Sequence, residues 1–252
     1  MPTDTPRRQS NRERVAARRA AEAAARERAE RRRRTVLGGV VAAVVVMVAL
    51  VVVMVAQTQR TATSADAAVP ANTVDGTVSV GSADAPVTVD LYEDFQCPNC
   101  KAFEDTTGGT LAQLVADGTV QARYHGMAFL DTSANDRYST RALNAAAAVV
   151  AAAGPEAFQS FHDLLFANQP AEGGAGLTDD QLIACAAQAG ASGPTVQQDI
   201  RDLTYADWVK TATDQASKDG VTGTPTAFVD GTKLADLSAA GMTAAVAAAQ
   251  AG

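Results

Sequence analysis

Residues Val89–Phe103 read VDLYEDFQCPNCKAF, and the junction inside this stretch, where a strand pattern runs into Cys97-Pro98-Asn99-Cys100, decides the fold. Val87, Val89 and Leu91 alternate with Thr88 and Asp90, as in a half-buried strand. Lys101, Ala102, Phe103 and Glu104 begin a helical pattern. Cys97 is thus expected to cap the helix. Pro98 suits the first helical position, where its missing N–H would be unpaired in any case. Free N–H groups and the helix dipole at that end favour an anion, so Cys97 is predicted to have a lowered pKa. Cys100, about one turn on and on the same face, can close a small disulfide with it. Site-supporting roles fall to Pro98 and Asn99.

A structural disulfide or half of a metal site are the rival readings of this pair. Four-ligand zinc needs a second ligand pair, and Cys185, His125 and His162 stand at no ligand spacing to one another. No metal and no cofactor are expected. With only three cysteines, the fold does not rest on a disulfide framework. The thiols are there for chemistry.

Upstream, the chain divides into unlike pieces. Residues 1–34 carry 12 Arg and 5 acidic residues, a net of +7, with no apolar face to bury, and read as a basic cytoplasmic tail. Without aromatic residues for stacking, the tail does not read as a nucleic-acid arm. Val36–Ala56 is an uncharged run of 21 residues, long enough at about 1.5 Å per residue to cross the hydrocarbon layer of a bilayer. Residues 35–57 are therefore expected to form a transmembrane helix. Arg31–Arg34 would stay inside by the positive-inside bias, sending the rest outward. A cleaved signal is the alternative, since Ala65-Asp66-Ala67 has the shape of a cleavage site, but the apolar run and its leader are long for one. Either way the cysteines end outside the cytoplasm. Small polar residues 58–75 read as a tether. Residues 58–252 hold 9 basic and 23 acidic residues, a balance that excludes nucleic acid and anionic membrane surfaces as partners.

Downstream, Thr77–Val80 reads as a short strand and Val87–Tyr92 as the strand feeding the cysteines. The helix after Cys100 is expected to reach Ala116, weakened at Gly108-Gly109. Thr119–Tyr124 is the next strand. Helices then follow for about 90 residues: Ser139–Ala153, stopped by Gly154-Pro155; Glu156–Asn168; one after Thr178; and a broken one over Pro194–Asp219. The sheet resumes at Thr224–Val229, turns at Asp230-Gly231 and continues over Thr232–Leu234. Ser238–Gln250 closes the chain as a helix.

DFQCPNCKAFE, followed far downstream by GVTGTPTAFVDG, resembles the DsbA-like branch of the thioredoxin-fold thiol-disulfide oxidoreductases, in its membrane-tethered bacterial form. The resemblance implies an α/β thioredoxin fold, residues 76–130 and 220–252, with a helical domain inserted at 131–219. It also implies a cis Pro225, with Thr224 facing the cysteines and an extended substrate peptide pairing there. By the same likeness Cys97 is the nucleophile and Cys100 the resolving thiol. The expected partners are reduced or unfolded secreted proteins and a membrane redox partner that resets the disulfide.

Many members of that family hold a buried acid six positions before the first cysteine, where this chain has Leu91. Asp90 and Glu93 are read as out of phase with Leu91, which leaves an apolar floor under the pair and no assigned proton acceptor. Asn99 adds no charge between the cysteines. Cys185, among Leu182, Ile183 and Ala186, reads as a small buried hydrophobe, and His162 as a core residue beside two Phe. His125 is not placed. Gly173-Gly174-Ala175-Gly176 follows no strand and reads as a loop rather than a phosphate cradle.

Overall fold

The computed structural model describes residues 68–251. The basic tail, the span Val36–Ala56 and the first part of the tether lie outside these residues. Among the described residues no helix is long and apolar enough to cross a membrane. The end of the expected tether is not free: the Asn72 side chain donates to the Val150 carbonyl at 3.0 Å.

Strands β1 (Val78–Val80), β2 (Val87–Glu93) and β3 (Val120–Gly126) form the first half of a five-stranded sheet. Strands β4 (Thr226–Val229) and β5 (Thr232–Lys233) complete it in the order β1-β3-β2-β4-β5. The β2–β3 pairing is parallel and the others are antiparallel. The alternation read in β2 holds at its start, where Val87, Val89 and Leu91 are buried and Thr88 and Asp90 half-buried. From Leu91 on both faces are covered, because Tyr92 packs in a second cluster with Met127, Ala216 and Val221.

Between β2 and β3 run α1 (Pro98–Phe103), a π-helical turn (Glu104–Gly108) and α2 (Gly109–Ala116). The irregularity expected at Gly108-Gly109 takes the form of the π turn, which begins at Glu104 and ends at Gly108; both glycines keep right-handed helical backbone angles. A Cβ at Gly108 would meet the Glu104 carboxylate, which would have to shift.

Four helices are inserted between β3 and β4: α3 (Tyr138–Ala167), α4 (Asp179–Gln188), α5 (Pro194–Arg201) and α6 (Ala206–Lys218). The two predicted helices over 139–168 run on as α3 across a break at Gly154, whose φ of 83° no helix accommodates. The small side chains of Ala142, Ala145 and Ala146 let α3 lie close to the sheet, and all three are buried in the main core. Thr178 and Gln181 form a capping box that starts α4. The predicted broken helix separates into α5 and α6 around Leu203, at φ 54°. Helix α7 (Ala239–Ala251) closes the fold and buries Met242 and Val246.

Candidate functional site: a thiol pair at a helix start

Cys97 is the N-cap of α1, in extended backbone conformation, with Pro98 at the first helical positions as the sequence predicts. A turn closed by the Cys97 N–H donating to the Asp94 carbonyl at 2.9 Å swings the chain out of β2 into that cap. The two cysteines are free thiols, and their surroundings differ. The Cys97 thiol donates to the Thr224 carbonyl at 3.3 Å and lines an open groove of about 600 Å³ with Pro98, Asn99, Phe129, Val221 and Thr224. Its pKa is lowered to about 6, first by the Cys100 thiol bonding its sulfur, then by the Thr224 side chain and the N–H groups of Cys100 and Asn99, against the opposing effect of burial. Cys100 has no exposed surface. Burial, its bond to Cys97 and the Glu93 charge all push its thiol well above the ordinary range. One sulfur is set up as a thiolate facing a groove, the other as a thiol held inside.

The Thr224–Pro225 bond is cis, as the resemblance implied. Pro98 and Asn99 are exposed at the groove rim, Thr224 and Pro225 half-buried beside it. Asn99 carries no charge, yet its backbone N–H lowers the Cys97 pKa, a contribution the side chain does not reveal.

The expected apolar floor is corrected. Leu91 is fully buried, but Glu93, two residues on, shares its face and is also buried. Reading Glu93 as out of phase was mistaken, because side chains two apart on a strand point the same way. Its carboxylate accepts from His162 Nε2 at 2.9 Å in a pair almost sealed from solvent. Burial alone would lower the His162 pKa, but Asp163 and Glu93 together raise it to about 10. Burial and the Glu93 charge raise Glu104, next to the pair, to about 8.

A family model described as Thioredoxin matches residues 73–248. The chain belongs to this thioredoxin family. Among solved structures it is similar to the reduced disulfide bond oxidoreductase DsbG of Mycobacterium tuberculosis, with 34% identity and a TM-score of 0.62 over 70% of this chain and 88% of that one. The oxidised DsbA of the same organism shares 35% identity and a TM-score of 0.60 over 68% and 90%. BdbD of Bacillus subtilis, 24% identical with a TM-score of 0.61 over 74% of this chain and all of that one, shows the shared fold. A sequence relative is the serine/threonine-protein kinase PknE of M. tuberculosis, 36% identical over 114 residues, or 44% of this chain. The chain spans about 20% of the length of that relative. Similarity to these oxidoreductases supports disulfide oxidoreductase activity in this thioredoxin-family chain.

Other residues that hold this thioredoxin-family site were not singled out by sequence reading. Asp94, fully buried, accepts from the N–H groups of Gln96 and Leu130 and from the Ser139 hydroxyl at 2.7–3.0 Å. It joins the cysteine turn to the loop after β3 and to α3, and burial raises its pKa to about 6. The Gln96 amide donates to the Gly174 carbonyl and accepts from Asn135. The glycine-rich loop is thus an anchor for this turn, consistent with its reading as a loop. Gln169, just past the end of α3, donates to the carbonyls of Phe95 and Cys97 at 3.1 and 3.0 Å. A polar residue in the segment before the cysteines was the only available signal. His125 turns away from the thiols: it stacks on Tyr92 and bonds Asp90 at 2.7 Å. Cys185 is buried and its pKa raised by that burial, as its reading as a hydrophobe predicts.

Proposed function

We propose that the chain is an extracytoplasmic, membrane-tethered thiol-disulfide oxidoreductase that forms or exchanges disulfides in secreted proteins through Cys97 and Cys100. The observation that carries this reading is the asymmetry of the pair: a groove-facing sulfur with pKa about 6 beside one that is sealed and holds its proton. In the oxidised enzyme a substrate thiolate attacks Cys97, a mixed disulfide forms, and Cys100 departs with the electron pair of the broken S–S bond and takes up a proton. A second substrate thiolate then attacks the substrate sulfur of the mixed disulfide. The substrate leaves oxidised and Cys97 leaves as a thiolate. The low pKa of Cys97 makes it a good leaving group and stabilises the reduced enzyme, which favours donation of the disulfide. The dithiol left behind requires a membrane redox partner to withdraw two electrons.

The half-buried Thr224 backbone beside Cys97 suits an extended peptide, whose main chain would bond there whatever its side chains, so that many reduced secreted proteins are substrates. Arg31–Arg34 and the uncharged run Val36–Ala56 support a single-pass anchor with its N-terminus cytoplasmic. Trapping tests the roles. Cys100→Ser leaves the nucleophile without its resolving partner and is expected to accumulate mixed disulfides with secreted proteins, whereas Cys97→Ser is not. Equal trapping by both variants overturns the assignment.

A further inference from the structure

The groove that Cys97 lines has two unlike sides. Phe129 and Leu130, on the loop after β3, and the buried Val221 form an apolar wall. Glu172 is exposed in the same lining and, among the described residues, is its one carboxylate, with no lysine or arginine beside it. The nearby cations are engaged elsewhere: Lys101 on α1 with Asp105 at 2.9 Å, Arg141 with Asp179 and Arg201 with Asp180. Lys218 follows the groove residue Ser217 but does not belong to the lining. The groove thus presents a negative charge that nothing on its own walls neutralises.

The backbone under that carboxylate is held in place. The Gly174 N–H donates to the Ala171 carbonyl at 3.1 Å, closing a turn with Glu172 and Gly173 at its two central positions. Gly173, at φ 78°, takes the left-handed place that glycine fills in such turns. Two side chains then tie the loop to the rest of the fold. The Gln96 amide donates to the Gly174 carbonyl at 2.9 Å, and the Arg141 guanidinium donates to the carbonyls of Ala175 and Leu177, both at 2.7 Å. Gln96 directly precedes Cys97, so one side chain fixes both the thiol turn and the loop that carries Glu172. The loop therefore needs little ordering when a peptide arrives.

We propose that Glu172 selects substrates carrying a lysine or arginine close to the reacting cysteine, an inference that rests on the oxidoreductase function proposed above and narrows its substrates. The occupant is an extended segment of a reduced protein. Its main chain lies along Thr224, its apolar side chains reach Phe129, Leu130 and Val221, and its basic side chain meets Glu172. Residues 58–252, with 9 basic against 23 acidic residues, act in the same direction at longer range by steering basic peptides in and repelling acidic ones. The pair forms at an exposed rim, where solvent screens it, so it changes the rate of attack about two- to fivefold rather than by orders of magnitude. Sequence spacing could not reveal this role, because Glu172 and Cys97 meet only where the loop after α3 folds back over the thiol turn.

The test uses the full chain with Cys97 and Cys100 oxidised to a disulfide and an excess of single-cysteine peptides, identical except for Lys, Gln or Glu placed in turn at each position flanking the cysteine. Loss of the enzyme disulfide, as the peptide thiolate attacks Cys97 and Cys100 departs, is followed by acid quenching and mass spectrometry. At the position that faces Glu172 the Lys peptide is expected to react about two- to fivefold faster than the Gln peptide, and the Glu peptide more slowly. A flanking lysine also lowers the pKa of the peptide thiol itself, so the Lys-to-Glu rate ratio is compared between proteins, where that contribution cancels. Glu172→Gln is expected to shrink the ratio at least twofold and Glu172→Lys to shrink it further. Both replace an exposed side chain on a turn, which keeps folding out of the comparison. Equal ratios in all three proteins overturn this proposal and leave the oxidoreductase function standing, whereas an enzyme disulfide that none of the peptides opens overturns both.

Discussion

Replacing Cys100 by alanine should raise the pKa of Cys97 by a predictable amount. The largest single influence holding Cys97 near 6 is the hydrogen bond from the Cys100 thiol. A hydrogen bond to a charged group is worth about 1.5–3 kcal/mol, or about 1–2 pKa units. Cys100→Ala should therefore bring Cys97 to about 7–8. At pH 7 its ionised fraction falls from about 90% to between about 50% and 10%, and since the thiolate is the reactive species, its alkylation slows about two- to tenfold. Cys100→Ser retains an O–H donor in place of the thiol and should fall between alanine and the native chain. Iodoacetamide labelling followed by mass spectrometry from pH 4 to 10 reads both midpoints at Cys97. Should Cys100→Ala leave the midpoint near 6, the helix N–H groups and Thr224 would suffice, and the reasoning from the thiol–thiol bond would be wrong.

Asp94→Ala removes the acceptor of three buried bonds and leaves their donors unpaired, so it should cost on the order of 3 kcal/mol, read as a lower urea midpoint. The folded-state pKa values of Glu104 and His162 both lie above their ordinary values. Each therefore contributes stability that is complete below its unfolded pKa and is lost as pH rises through its folded one. Stability should decline from about pH 4.5 through 8 on account of Glu104, and from about 6.5 through 10 on account of His162. Glu104→Gln should remove the first part of that decline; urea midpoints that rise with pH over this range would contradict the sign. Protease added to cells stripped of their wall should digest residues 76–252 and spare the N-terminal tail, and the reverse pattern would overturn the proposed orientation.

The strand-to-cysteine junction was legible because it depends on local rules. Alternation marked β2, and Pro98 at the helix start placed Cys97 where unpaired N–H groups favour an anion. The hairpin at Asp230-Gly231 and the break at Gly154-Pro155 were legible for the same reason, since turn residues act on their own backbone. What lies under the cysteines was not. Glu93 could have been assigned to the buried face by counting in twos, but its pairing with His162 joins β2 to a helix 69 residues later. No periodicity encodes such a contact. The π turn likewise was located only in part by glycine propensity, which marked Gly108, where the turn ends, and not Glu104, where it begins. The sequence by itself determined the strand, the helix start and the sulfur that faces outward. Only the tertiary structure decided which charges surround those sulfurs, because electrostatic influence acts through space between residues that the chain keeps far apart.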